Sequence, residues 1–260
     1  MKIKIALCQF KVEDNKDNNL RKAALFIAKA KEAKADIIVL PEMFNCPFDS
    51  QLFSKYSESE GDTTYNFLKE QSSNVLLVGG SIPEKYENKI YNTSYIFENE
   101  NLLGKYRKIN LFDVSYKNIN YKESATVSPG TKNLVIDSNF GKIGIAICFD
   151  IRFPGIFTAM EQDNPFLYVI PAAFNHLSGP AHFKLLGRSR ALDTQSYLVL
   201  CSPASNTNTS YDPYGHSMII DPWGEVLNEL DSDEGIGIQI IDTDFVNEIR
   251  AKLPIKKKLI

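Results

Sequence analysis

The chain has 260 residues, with 29 lysines and arginines against 32 aspartates and glutamates and a net charge of −3, a balance that carries no basic footprint for nucleic acid. Hydrophobic residues at 43% and charged residues at 23% describe a soluble globular chain long enough to bury a sizeable core. No apolar run approaches the ~18 residues of a membrane span, and Met1-Lys-Ile-Lys-Ile-Ala-Leu-Cys-Gln9 lacks a signal-peptide core, so a cytoplasmic protein with no membrane partner is expected. Cys8, Cys46, Cys148 and Cys201 show no Cys-x-x-Cys spacing, which implies neither a zinc site nor a disulfide framework, and nothing calls for a cofactor.

In chain order, Ile3, Ile5 and Leu7 alternate with polar or small residues and predict a strand. An Asp/Asn-rich stretch then caps a helix over 18–35, with Leu20, Ala24, Ile27 and Ala28 at helical spacing. A buried strand over 37–40 delivers Glu42. A loop around Asn45-Cys-Pro-Phe48-Asp49 leads to a helix over 63–71 and a strand over 75–78. Residues 91–97 and 102–108 read as a hairpin turning at Asn99-Glu-Asn101, and Lys108 leaves its far end. Between 110 and 132 the pattern is irregular, with Tyr116, Tyr121, Glu123, Pro129 and Gly130, and predicts an ordered functional loop.

Further strands are predicted over 134–136, 167–170, 197–201, 215–220, 226–230 and 236–241. Helices are predicted after Pro154, over 181–195 and over 243–252. Lys256-Lys-Lys258 reads as a solvated end. No composition shift divides the chain, so one α/β domain over 1–260 is expected, with a short tail from about 253.

The chemistry gathers around Lys142-Ile-Gly-Ile-Ala-Ile-Cys148-Phe-Asp-Ile-Arg-Phe-Pro154. Ile143, Ile145 and Ile147 alternate with Gly144 and Ala146 as in a central strand, and Pro154 suits the first turn of a helix. Strand, turn, helix is the geometry of a nucleophile elbow, which raises a side chain at the carboxyl edge of a sheet. A cysteine at a strand end is more often a packing residue, so Cys148 alone proves little. It has company in Ile37-Ile-Val-Leu-Pro-Glu42 and in Tyr106-Arg-Lys108, two further strand ends carrying a carboxylate and an ammonium.

Together these three stretches resemble the nitrilase (carbon-nitrogen hydrolase) superfamily, and the likeness runs over nearly the whole chain. The resemblance implies a four-layer α-β-β-α sandwich and amide hydrolysis through a cysteine thioester. Cys148 is then the nucleophile, Glu42 the proton shuttle, and Lys108 with the Phe149 backbone N–H the oxyanion site. Glu123, in Lys122-Glu-Ser-Ala-Thr-Val-Ser-Pro-Gly130, matches the second glutamate of the family, which orients the lysine. Asp150 and Arg152 match the acidic-x-Arg run and are expected to pair, with Arg152 reaching the substrate.

Phe174-Asn175, Ser178-Gly-Pro-Ala-His182-Phe183 and Arg188-Ser-Arg-Ala-Leu-Asp-Thr-Gln195 look like the Nit branch, in its ω-amidase type. That implies a small dicarboxylate ω-monoamide as substrate, held near Phe48, Arg152, Phe174, Asn175 and His182, and a homodimer. Phe48 stands where the branch has tyrosine, and Phe183 where it has tryptophan. Inside the superfamily the alternatives are deaminated-glutathione amidase activity first, then another carbon-nitrogen hydrolase of small amides, such as a formamidase, carbamoylase or nitrilase. A hydrolase with a histidine base and a silent binding module are the alternatives outside it.

Overall fold

A computed structural model describes residues 1–116 and 119–255. Its first half runs β1 (Lys2–Gln9), α1 (Lys16–Glu32), β2 (Ile37–Val39), α2 (Phe53–Tyr56), α3 (Thr63–Gln71), β3 (Leu76–Val78), β4 (Ile82–Tyr86), β5 (Lys89–Glu98) and β6 (Asn101–Arg107). Next come β7 (Asp113–Tyr116), β8 (Ile119–Lys122), β9 (Leu134–Ser138), β10 (Gly141–Ile145), α4 (Pro154–Met160) and β11 (Leu167–Pro171). The chain closes through α5 (Lys184–Thr194), β12 (Tyr197–Cys201), β13 (Met218–Ile220), β14 (Val226–Glu229), β15 (Gly235–Asp242) and α6 (Thr243–Lys252).

One sheet is ordered β15-β1-β2-β3-β5-β4, with β6 also paired to β5; the second is ordered β14-β13-β12-β11-β10-β9. Each has three parallel strands at its centre, β1-β2-β3 and β10-β11-β12. Parallel neighbours need crossovers, which α1 and α3 supply on the first sheet and α4 and α5 on the second. The alternation along a strand then sorts side chains into layers. Ile37 and Val39 join Ile143, Ile145, Val169 and Val199 in the core between the sheets, whereas Ile38 and Leu40 pack with Ala23 and Ile27 of α1. Each fully buried aliphatic contributes ~1.5–3 kcal/mol, and the result is the expected α-β-β-α sandwich. On the far side of the second sheet, Gly144 lies under the Tyr168 ring so closely that a Cβ would come within 2.5 Å of it.

Several elements depart from the sequence reading. The first helix starts earlier, at Lys16, because the Asn15 side chain accepts from the Asn18 N–H at 3.0 Å and caps it. The strand expected over 215–220 shortens to β13, since Gly215 and His216 sit at φ +73° and +54°, outside strand geometry. The helix expected over 181–195 begins at Lys184, after a wide π turn over Gly179–Phe183. The irregular stretch after Lys108 contains the β7–β8 ribbon, and β4 was not anticipated. Lys256-Lys-Lys258 lies outside the described residues. Among the described residues no helix is long and apolar enough to cross a membrane.

Candidate active site

Three strand ends converge. Glu42 follows β2, Lys108 follows β6 directly, and Cys148 follows β10 at the head of a single 3-10 turn over Cys148–Arg152. The backbone is bent at two of these corners, with Met43 at φ +50° and Cys148 at φ +45°. A side chain in the left-handed region costs of order 1–3 kcal/mol and persists only where its surroundings impose it.

At the first corner the surroundings include Gly80, whose missing Cβ would lie 2.1 Å from the Pro41 carbonyl oxygen. The Ser81 hydroxyl there accepts from the Met43 N–H at 3.1 Å. At the second they are centred on buried Asp150. Its Oδ2 accepts from the Ile147 N–H at 3.1 Å and the Tyr106 hydroxyl at 2.8 Å, and its Oδ1 accepts from Asn110 N–H at 2.8 Å and Nδ2 at 2.9 Å. Arg107 fixes the end of β6 by donating twice to Glu84 of β4, at 2.7 and 2.8 Å, with its guanidinium over the Tyr91 ring.

Glu42, Lys108 and Glu123 are each 0% exposed. The Lys108 ammonium donates to Glu42 Oε1 at 2.8 Å and to Glu123 Oε2 at 2.9 Å. Asn92, which the sequence reading missed, completes a ring: its Nδ2 donates to Glu42 Oε1 at 2.9 Å and to Glu123 Oε1 at 3.0 Å. The one available signal was an amide inside the strand-forming run Tyr91-Asn-Thr-Ser-Tyr95. Glu123 also accepts from the Phe112 N–H at 2.7 Å, so the β7–β8 ribbon is what delivers it. Cys148 Sγ accepts from the Ala173 N–H at 3.5 Å, and Glu42 Oε2 has no hydrogen-bond partner.

The charges in this pocket set one another. Burial raises Glu42 above the usual carboxylate range; Lys108 opposes the rise and Glu123 adds to it. For Lys108, burial works against the ammonium, but Glu123, Glu42 and Cys148 outweigh it and hold the group charged well above its usual range. Burial followed by Glu42 pushes the Cys148 thiol well up, against Lys108, so the resting group is a thiol. A neutral thiol beside a carboxylate of raised basicity and a fixed ammonium can attack an electrophilic carbon, pass its proton and stabilise an oxyanion.

An outer cleft of about 500 Å³ is lined by Phe112, Phe149, Arg152, Asn175, Ser178 and His182, among others. It narrows to about 10 Å³ beside Cys148, Ala173, Phe174 and Tyr211. Arg152 stands in the walls of both. It does not pair with Asp150, whose oxygens are already taken. Its guanidinium approaches His182 Nδ1 at 3.2 and 3.3 Å and the Phe174 ring at 5.1 Å, and its buried Nε has no partner.

Asn175 Oδ1 accepts from the Leu177 and Ser178 N–H groups, both at 3.1 Å, and holds the turn before the π segment. Phe183, in the tryptophan's place, packs on Phe174. Phe48 lies away from the outer cleft, with Lys108 Nζ 5.5 Å from its ring centroid and with Tyr121 and Tyr211 against it. Tyr211, also missed, donates its hydroxyl to the Ala173 carbonyl. Among the described residues no cluster of histidine, cysteine or acidic side chains could hold a metal ion.

Comparison with known proteins agrees with this arrangement. The carbon-nitrogen hydrolase family profile matches residues 4–251. The omega-amidase NIT3 of Saccharomyces cerevisiae is 42% identical, over 99% of this chain and 93% of its own length. The human omega-amidase NIT2 is 39% identical, over 97% and 93%. The crystal structure of Saccharomyces cerevisiae Nit3, a member of branch 10 of the nitrilase superfamily, superposes with a TM-score of 0.91 at 38% identity, covering 99% of this chain and 96% of that one. With its buried cysteine, glutamates and lysine on the strand ends of an α-β-β-α sandwich, the chain belongs to the carbon-nitrogen hydrolase family.

Proposed function

We propose that this amidase is an ω-amidase, releasing ammonia from the terminal amide of a small dicarboxylate monoamide such as α-ketoglutaramate or α-ketosuccinamate. Cys148 Sγ attacks the amide carbon while its proton passes to Glu42, and the carbonyl oxygen, now an anion, is met by Lys108 and the Phe149 N–H. The adduct collapses with cleavage of the C–N bond, Glu42 returns the proton to nitrogen, and ammonia leaves a thioester on Cys148. Glu42 then takes a proton from water, the hydroxide adds to the thioester carbon, and the C–S bond breaks as sulfur regains the proton. The sum is amide plus water to acid plus ammonia. Glu123 keeps Lys108 charged and aimed.

The supporting observation is the buried Lys108 ammonium bridging two carboxylates beside a thiol at a strained elbow. For the substrate it is Arg152, whose unpartnered Nε sits between the outer cleft and Cys148 and offers a carboxylate a charged donor in a water-poor neck. The names of the similar omega-amidases point the same way. We read the molecule as one cytoplasmic domain acting as a homodimer.

The test is ammonia release from α-ketoglutaramate, succinamate, deaminated glutathione and a neutral amide of equal length. The expected order places a dicarboxylate monoamide first in kcat/KM. Preference for the neutral amide would remove the carboxylate site, and preference for deaminated glutathione would install that activity instead.

A further inference from the structure

A second, smaller cavity reaches Glu42 and shares no lining residue with the outer cleft. It measures about 10 Å³, and its walls include Glu42, Met43, Phe48, Pro203 and Tyr211. Tyr211 also lines the neck at Cys148, so the two spaces meet at its side chain. Glu42 lines this cavity but not the neck. Its Oε2, on a residue with no exposed surface, is a carboxylate oxygen without a hydrogen-bond partner. Outward, Pro47, Asn206 and Thr209 are shared with a surface cleft of about 430 Å³ that also carries Lys11, Asp14 and Ser210.

We infer that this cavity is the seat of the hydrolytic water, and that the Pro47, Asn206 and Thr209 neck is the route by which the water is replaced at each turnover. The inference rests on the thioester mechanism above. A space of about 10 Å³ holds one water-sized molecule. While the acyl group is on Cys148 it fills the narrow neck from the substrate side, and its carboxylate extends toward Arg152. Water from the outer cleft is then blocked by the intermediate it must hydrolyse. Water from the Glu42 side meets the base first, in the order the chemistry needs, with Oε2 as the atom that takes its proton. The buried oxygen without a partner thereby acquires one.

The test is to plug the neck with Thr209→Phe and follow acylation and deacylation separately, by rapid quench and by intact mass. Slow water entry predicts that kcat falls roughly fivefold or more, that KM falls with it, that kcat/KM changes by less than about twofold, and that an acyl adduct on Cys148 accumulates. Alkylation of Cys148 by iodoacetamide, which enters by the outer cleft, should keep its wild-type rate. Thr209→Met supplies a smaller plug if the phenylalanine variant does not fold. Unchanged kcat in a folded plug variant overturns the inference, and so does a fall in kcat/KM without accumulated thioester. Wild-type turnover of α-ketoglutaramate tests the ω-amidase reading separately, and the plug comparison runs on whichever amide the wild type cleaves.

Discussion

Lys108 carries one positive charge against two buried carboxylates, and its removal exposes what each partner was contributing. Lys108→Ala leaves Glu42 and Glu123 facing each other and, in the proposed mechanism, takes a fixed cation from the oxyanion, so kcat/KM is expected to fall by roughly 100-fold or more, about 3 kcal/mol. A raised KM with unchanged kcat would make Lys108 a binding group only. As the proposed base, Glu42 has to be ionised to accept a proton, and burial raises it above its usual 4.5, so the acid limb of kcat/KM should lie above that pH. In stability the sign is opposite: a carboxylate raised by folding favours the folded state below its unfolded value, and that contribution is lost as pH rises through the folded one. Asn92 supplies a neutral donor to each carboxylate. Asn92→Ala therefore favours protonated Glu42 and should move the acid limb to higher pH, with kcat reduced roughly tenfold at neutral pH and recovering as pH rises. A lowered kcat with an unmoved limb would make Asn92 a packing residue.

The strand ends can aim their side chains only if the strands themselves are anchored, and β4 anchors β6. Glu84 is held at about 2: burial pushes it up, but Arg107, Thr93 and Lys105 outweigh that. A carboxylate depressed by folding contributes stability above its unfolded value of 4.5 that is lost as pH falls toward the folded one, here about 3 kcal/mol over that window. Urea titrations from pH 6 to 2 should show that loss in the wild type and its absence in Glu84→Gln, which should be less stable at pH 6. Parallel slopes would place the acid sensitivity elsewhere. This anchor was not legible beforehand, because Ile82-Pro-Glu-Lys-Tyr86 is an edge strand in which the proline and charges mask the alternation. Buried central strands such as β12, and helices with a clear apolar face such as α3 and α6, were legible to the residue. Glu42, Lys108, Cys148 and Glu123 were readable as a candidate set, on strand ends and a loop in the order the superfamily carries them, and the fold brings them together. Asn92 and Tyr211 were not, since a lone amide or phenol in a chain has no period and acquires meaning only from what faces it. The Asp150–Arg152 pair expected from the superfamily's acidic-x-Arg run does not form, because Asp150 is taken by Ile147, Tyr106 and Asn110 while Arg152 faces His182.

At the scale of the molecule, the second sheet's helix layer leaves apolar surface uncovered. Leu185 and Leu192 are 65% and 43% exposed and stand seven residues apart on α5, hence on one face. Trp223, 51% exposed, precedes Gly224, which lies against Leu192 and accepts from Arg188 Nε at 2.7 Å. Two leucines and a tryptophan exposed here are the surface on which the proposed homodimer would pair, with a second copy of the chain as the partner. Sedimentation at micromolar concentration should give twice the 29.3 kDa of the chain, and Leu185→Glu with Leu192→Glu should give 29.3 kDa. A wild-type monomer, or a dimer that survives both charges, rejects this face. The consequence reaches the active site, because α5 continues directly from the π turn that carries His182 against Arg152. Loosening α5 at its outer face frees that turn and the guanidinium with it. The monomeric variant should therefore show a higher KM for a dicarboxylate monoamide while kcat and the alkylation rate of Cys148 stay near wild type; equal losses in kcat and KM would mean that pairing supports the catalytic cluster itself and not the mouth.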